Sequence, residues 1–438
     1  MQHPTVTNIS LHDHAESMLQ EKISERVLSG EVIIVRQSLQ AIGYFESLQE
    51  ASLNGIRRAT GQEKAAKIKN KGFEAFHEVI NLDELPSVTH HTYEVVRSLA
   101  PKIAKKLIKK VFQQEKAFYF EEYPNVRFHV PYDIVVQRKD EFNTFAWNGK
   151  VTAHGPHHDS WYQCPTNSIN IWIAIGKVKI GNGLNIYPQV YGKLLPCTKD
   201  GKIQRDQYFG SALNFELEPG DALIFHGEHL HSSEINSTDA TRHVISLRMT
   251  LDKPKFLNPH SPYKYDYIYS QPNDGFWEEF TQFVVRKFHN ISKKINSIIA
   301  QEKNQNYIIS PEIISKFDDT SMAFPQEISV KTSSRKLVGD TKLILDSKEL
   351  KLGEIRPISQ KLCAAKINER RVVVFDRYCP HEGADLAAGY LRNDCVVCPW
   401  HNLPINLQSG ASPCQSLQKI SVFDYQEESQ KIKGSEAE

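Results

Sequence analysis

Near its C-terminal end the chain reads Cys379-x-His381 and, after sixteen intervening residues, Cys398-x-x-His401. No other motif limits the fold of a segment as sharply. Two short loops that each supply one thiolate and one imidazole can bind zinc as a Cys2His2 site, but the single residue between Cys379 and His381 is tighter than the two-to-four spacing of zinc fingers. The alternative is a two-iron, two-sulfur cluster, with both cysteines on one iron and both histidines on the other. Five of the seven cysteines, Cys363, Cys379, Cys395, Cys398 and Cys414, fall in the last quarter of the 438 residues, far from Cys164 and Cys197. The N-terminal residues show neither a basic n-region nor an apolar core. A cytoplasmic location is therefore expected, and the clustered cysteines point to metal or redox chemistry more than to disulfides.

Around the four positions, Pro380, Gly383-Ala384-x-Leu386, Gly389, Pro399-Trp400 and Asn406-Leu-x-x-Gly410 complete a pattern spread over about 90 residues. The segment resembles a Rieske domain of the ferredoxin and oxygenase style. The resemblance implies a [2Fe-2S] cluster on Cys379, His381, Cys398 and His401 within a small antiparallel β fold. Residues 364–367 and 371–375 form a plausible hairpin ahead of the first loop. Asn402 departs from the pattern, because glycine usually follows the second histidine, and a change in the loop's hydrogen bonding to the cluster is expected. High-potential respiratory relatives carry a disulfide between the two loops, whereas Ala384 and Trp400 occupy those places here. Cys395 and Cys414 are accordingly expected to be structural thiols, and the domain a soluble electron-transfer module.

Histidine is concentrated elsewhere. Seven of the 18 (His154, His157, His158, His226, His229, His231 and His243) lie in one 90-residue stretch. On a strand, residues two apart share a face, so His157 and Asp159 can address one metal while His158 points away. A third ligand from a distant strand would put two histidines and one carboxylate on one face of an iron and leave its other positions open. His226, His229 and His231 compete for that place.

The His157-x-Asp159 pair is followed by a β-rich run at 171–175, Gly183-Leu-x-x-x-Pro188, Pro219-Gly-Asp221, and His231 eleven residues before Arg242. In this order, over roughly residues 20–255, they resemble the phytanoyl-CoA dioxygenase family of iron(II) and 2-oxoglutarate oxygenases. The resemblance implies a double-stranded β-helix of the jelly-roll or cupin-like kind, with iron(II) on His157, Asp159 and His231. It also implies that Arg242 grips the far carboxylate of 2-oxoglutarate, a task suited to a guanidinium fork; Arg248 is the second choice of anchor. Gln137 and Trp161 are expected near the iron pocket. Tyr187-Pro188 lacks the Ser-His that often follows in the family, which bears on the substrate side. Halogenating relatives lack the carboxylate, so Asp159 favours hydroxylation or another oxidation.

Composition excludes other classes. With 53 basic and 52 acidic residues, a formal charge of +1, the chain lacks the basic excess of a nucleic-acid binder. No apolar run approaches the ~20 residues of a membrane span. Helices are expected at about residues 11–28 and 44–58, with a strand at 30–36 between them. A third helix sets Ile103, Leu107, Ile108, Val111 and Phe112 against Lys102, Lys105, Lys106, Lys109 and Lys110, a pattern that suits a solvated basic face. Short β-rich runs at 133–137, 168–175, 222–225 and 244–248 suggest a barrel or sandwich. A helix at 276–300, with apolar residues at steps of three and four, would pack on the barrel or form a subunit interface. The expected organisation is an oxygenase domain at 1–302, a polar linker at 303–341 and a Rieske domain at 342–438, mainly β with helices.

Together the resemblances imply a non-haem iron oxygenase that oxidises a small organic substrate with O2 and 2-oxoglutarate. Such chemistry needs no external electrons in a productive turnover. The expected task of the cluster, fed by a separate reductase or ferredoxin, is to re-reduce iron left ferric by an uncoupled one, with His381 and His401 at an exposed tip. Two other classes compete. A Rieske-type oxygenase would run on external reductant alone, although the closely spaced helical histidines of that class are not found. An electron carrier or redox sensor with a non-catalytic barrel would hold two irons per chain rather than about three.

Overall fold

A computed structural model of the chain describes residues 6–10, 23–113, 118–121, 124–136, 153–162, 164–193, 195, 197, 203, 207–256, 265–268, 344–346, 350–425 and 431–433. Strands β1 (Val6–Ser10) and β2 (Val32–Arg36) pair in parallel, with α1 (Ile23–Leu28) between them in sequence. Helices α2 (Ser38–Ala41), α3 (Phe45–Thr60), α4 (Gln62–Lys71), α5 (Phe76–Val79) and α6 (Leu85–Lys110) follow. Next come β3 (Phe118–Glu121), β4 (Asn125–His129), α7 (Tyr132–Val135), β5 (Ile169–Ala174), β6 (Leu184–Ile186), β7 (Ala222–His226), β8 (His231–Ser233), β9 (Arg242–Thr250) and β10 (Tyr265–Ile268). The large sheet has the order β1-β2-β7-β5-β9-β3-β10, with β4 also on β9, while β6 and β8 make a separate two-stranded sheet. The architecture is a double-stranded β-helix backed by helices.

Strand alternation explains how its layers are filled. All six residues of β5 are buried. Ile169, Ile171 and Ile173 pack with Ile224, Ile245 and Leu247 against Leu48 and Ile56 of α3 and Leu107 of α6. The alternate residues Trp172 and Ala174 join Leu223, Phe225 and Val244 against Leu184 and Ile186 of the small sheet. One set of side chains thus faces the helices and the other the barrel interior. Helices α3 and α6 approach so closely that a Cβ on Gly55 would lie 2.3 Å from the Thr92 Cα. On α6, Ile103, Leu107 and Ile108 are buried, while Lys102, Lys106, Lys109 and Lys110 are exposed to solvent.

Two local expectations change. The strand expected at 133–137 is instead the short helix α7, which Pro131 opens. Its Asp133 carboxylate accepts the backbone N–H groups of Gln415 and Ser416 at 3.0 and 2.9 Å, a long-range contact that no local pattern reveals. The first helix covers Ile23–Leu28 among the described residues. Gln137, the helix at 276–300 and the linker at 303–341 lie outside them.

The C-terminal part contains β11 (Ile344–Asp346), β12 (Ile355–Pro357), β13 (Leu362–Asn368), β14 (Arg371–Asp376), β15 (Tyr390–Arg392), β16 (Cys395–Val397), β17 (Pro404–Asn406), β18 (Val422–Tyr425) and β19 (Lys431–Lys433). Sheets β12-β13-β14-β18 and β15-β16-β17 are antiparallel, and β11 pairs with β19. The expected hairpin is β13-β14, with an irregularity between Lys366 and Asn368. The two Cys/His loops join β14 to β15 and β16 to β17. An apolar cluster crosses from one part to the other, uniting Tyr132, Tyr187, Phe209, Leu230 and Ile235 with Trp400 and Leu403. Full burial of side chains of this size contributes roughly 1.5–3 kcal/mol each.

Candidate functional site

His231 opens β8 and exchanges two backbone hydrogen bonds, both 3.0 Å, with His157. Two residues on, Asp159 starts a 3-10 turn over Asp159–Tyr162, with its N–H on the Gly227 carbonyl at 3.1 Å. His157 and Asp159 therefore share a site through a bridge and a turn, not through regular strand alternation. Ligand atoms of His157, Asp159 and His231 lie within 4.8 Å of one another, and all three residues are buried. His157 Nδ1 is 2.8 Å from the Gly155 carbonyl, and His231 Nδ1 is 2.8 Å from that of His229. A carbonyl can only accept, so both protons sit on Nδ1 and each Nε2 is left as the ligating lone pair, as in metal-bound histidines. His231 Nε2 stands 3.9 Å from Asp159 Oδ1.

The carboxylate is firmly held. Asp159 Oδ2 accepts from Asn170 Nδ2 at 2.6 Å and Arg248 Nε at 3.2 Å, and Oδ1 accepts from Arg248 Nη2 at 3.1 Å. Arg248 Nη1 also donates to Glu121 Oε2 at 3.1 Å. Burial pushes the Asp159 carboxyl up, but the Arg248 guanidinium beside it, with the hydrogen bond from Asn170, outweighs this and holds the group well below the usual carboxylate range. Burial keeps His157 and His231 neutral by lowering both. One anionic oxygen donor and two neutral imidazoles fit a divalent iron whose remaining positions stay open.

The neighbouring histidines point elsewhere. His226 Nδ1 meets the Tyr191 hydroxyl at 2.8 Å and His229 Nε2 meets the Gly30 carbonyl at 2.9 Å. His158 turns its Nδ1 to the Glu228 carbonyl at 2.9 Å, and buried Trp161 meets the His158 ring edge-on at 5.0 Å. Sequence reading passed over Glu228. Its carboxyl accepts from Ser160 Oγ at 2.8 Å, and burial pushes it up to about 8. Only its place between His226 and His229 hinted at it.

Arg242 occupies the same inward face of β9 as Arg248, six residues away. It is fully buried over the Trp172 ring, 5.1 Å from the centroid. Its Nη1 donates to the Asn182 and Gly183 carbonyls at 2.5 and 2.7 Å, whereas Nε and Nη2 have no partner among the described residues. Those two N–H groups form the edge of a guanidinium that takes a carboxylate side-on, so the residues present fit a dicarboxylate as well as an iron.

At the second centre, the Cys379 and Cys398 thiols are hydrogen-bonded to each other, and His381 Nδ1 lies 3.3 Å from His401 Nδ1. The hydrogen bond from Cys398 lowers Cys379, while burial raises Cys398. Two sulfurs and two Nδ1 atoms converging in pairs fit a cluster with one cysteine-bound and one histidine-bound iron. Local bonds shape the loops: Gly383 N–H donates to the Cys379 carbonyl at 2.9 Å and Asn402 N–H to that of Cys398 at 3.0 Å. An ion pair between Arg377 and Asp385, 2.6 Å long, braces the first loop. Among the described residues no cysteine is joined in a disulfide. The exposed histidine tip is observed only in part. His401 is 1% exposed, whereas His381 is part-buried, its ring edge-on against Tyr132 of the barrel part at 5.1 Å.

Comparison with known proteins adds a family to each part. The model of the phytanoyl-CoA dioxygenase family matches residues 44–244, and that of the Rieske [2Fe-2S] domain matches residues 340–422. Among curated proteins, cholesterol 7-desaturase nvd of Bombyx mori is 36% identical over 78 residues, 17% of this chain and 17% of the relative. The Drosophila melanogaster protein of that name is 40% identical over 62 residues, 13% and 14%. The vanillate O-demethylase oxygenase subunit of Pseudomonas sp. (strain HR199 / DSM 7063) is 31% identical over 70 residues, 14% and 20%. The chain thus matches a fifth or less of the length of each of these relatives. Among solved structures, the epimerase SnoN in complex with Fe3+, alpha ketoglutarate and nogalamycin RO is 17% identical, covers 52% of this chain and 83% of its own, and has a TM-score of 0.31. For the Sphingomonas yanoikuyae B1 ferredoxin the values are 22%, 23%, 100% and 0.20.

Proposed function

This chain joins a phytanoyl-CoA dioxygenase domain to a Rieske [2Fe-2S] domain, and on that premise we propose that it is a non-haem iron oxygenase that uses O2 and 2-oxoglutarate to oxidise a small organic substrate. What carries this reading is one juxtaposition: a closed set of His157, Asp159 and His231 shares a barrel interior with Arg242, whose Nε and Nη2 are buried without partners among the described residues. Iron(II) with 2-oxoglutarate supplies the oxidising power for a C–H bond, and the cluster supplies single electrons. The protein's own residues do the rest. His157 and His231 present Nε2 because backbone carbonyls fix their Nδ1 protons, and Arg248 with Asn170 keeps Asp159 ionised and aimed. Arg242 holds the far carboxylate of the cosubstrate, and the apolar lining from Trp172 to Phe225 excludes water. Cys379, Cys398, His381 and His401 would hold the cluster, which would supply electrons from a separate reductase or ferredoxin to keep the mononuclear iron ferrous. The oxygenase domain extends over 1–302 and the Rieske domain over 342–438.

Succinate formation tests this directly. Purified protein supplied with oxygen and substrate should release succinate in step with product and only in the presence of 2-oxoglutarate. Turnover that needs reductant and oxygen alone would make the cluster the electron source of each cycle and remove 2-oxoglutarate from the reaction.

A further inference from the structure

Tyr187 follows β6, whose Ile186 pairs with His231 of β8, and its own N–H donates to the Leu230 carbonyl at 2.9 Å. Its ring therefore starts beside the strand that carries His231. The phenol is buried and ends on the second loop of the C-terminal part: Oη lies 2.8 Å from the Pro399 carbonyl and 3.2 Å from that of Trp400. It also lies 3.1 Å from Ser232 Oγ, which accepts from Asn185 Nδ2 at 2.9 Å. These polar groups have one consistent direction. Asn185 donates to Ser232, Ser232 to Tyr187, and Tyr187 to the backbone between Cys398 and His401. A second bridge runs beside it, from Asn402 Nδ2 to Glu234 Oε1 at 3.1 Å.

We propose that Tyr187 is a positioning residue that couples the two metal centres within a single chain, through a path of two hydrogen bonds from the Trp400 and Pro399 carbonyls to Ser232, the covalent neighbour of His231. This rests on the reading that the cluster re-reduces the mononuclear iron. In the step concerned, the reduced cluster gives one electron to a ferric ion held by His157, Asp159 and His231. The cluster is left oxidised and the iron ferrous, with no bond made or broken, and a one-electron donor of the ferredoxin or reduced-flavin class restores the cluster. The 1% exposure of His401 is part of the case. Its cover comes from its own chain, so the electron has a buried route that needs no second subunit.

The test is a single electron transfer followed anaerobically. The full chain, with ferric iron in the mononuclear site, receives one equivalent of dithionite, and the paramagnetic resonance signal of the reduced cluster is followed by freeze-quench. In the parent protein that signal should decay in step with loss of the ferric signal. Tyr187→Phe keeps the ring but removes the hydroxyl, and Ser232→Ala cuts the same path one link on. Each should slow the decay by about tenfold or more, as losses around metal ligands do, with iron content and cluster potential unchanged. Mixing His231→Ala chains with Cys379→Ser chains should restore no transfer. Decay at the parent rate in both hydroxyl variants, or transfer restored by mixing, overturns the intrachain path. No decay in the parent protein itself overturns instead the reading that the cluster serves this iron.

Discussion

Asn402 adopts a left-handed backbone, with φ at 55°, which explains why glycine is usual there and why asparagine is the substitute that costs least. Its side chain accepts from Tyr390 Oη at 2.6 Å and donates to Glu234, so the departure noted in the sequence joins the two parts of the chain. The residues that gather at the two candidate sites were legible because their types and spacings are chemical. The double grip of Arg248 on Asp159 was not, because β3, β5 and β9 bring Glu121, Asn170 and Arg248 together only in the folded sheet. Arg242→Ala should weaken 2-oxoglutarate binding by about 10²-fold, the scale of losing one partner of a buried charge pair, and anaerobic titration reads it; Arg242→Lys, without the fork, should recover only part. His243, stacked on Phe128 at 4.0 Å and bonded to Ser52 Oγ at 2.9 Å, is held by burial near about 3, against 6.5 for the free side chain. The unfolded chain therefore binds one more proton between those values, so the stability this residue contributes is complete above about pH 6.5 and is lost as pH falls. Between pH 7 and 5 the loss is about 2 kcal/mol. Urea unfolding of His243→Gln should show a pH dependence smaller by that amount.

Helices and strands were legible where one period dominates. β5, β7 and β9 follow their apolar runs, and the β13-β14 hairpin was foreseen within a few residues. The run at 133–137 was not, since its β-branched residues favour a strand while Pro131 and the contacts of Asp133 with the second part impose a turn of helix. Gly55 makes a similar point within α3. As an isolated helix residue it should weaken α3, and Gly55→Ala should stabilise by about 1 kcal/mol. The 2.3 Å approach to Thr92 predicts the opposite sign. Thermal unfolding should show a net loss of about 1–3 kcal/mol, the usual cost of overpacking, and a stabilised variant would mean that α3 and α6 do not pack this closely.

For the whole molecule, sequence reading gave two centres on one chain and left their relation open. The structure closes that gap with an apolar cluster spanning both parts, with Tyr187 and Glu234 reaching the second cluster loop, and with His401 covered rather than exposed. None of these contacts has a local signature, because each joins residues more than 150 positions apart. Iron stoichiometry and 2-oxoglutarate binding test the two-centre chain together, without knowledge of the substrate. The decisive measurement is an anaerobic titration of the iron-loaded protein with 2-oxoglutarate, monitored by visible absorption after iron and sulfide analysis. About three irons and two sulfides per chain are predicted, with a new iron-to-2-oxoglutarate charge-transfer band that His231→Ala and Arg242→Ala weaken or abolish. Two irons per chain and a spectrum that 2-oxoglutarate leaves unchanged would contradict it.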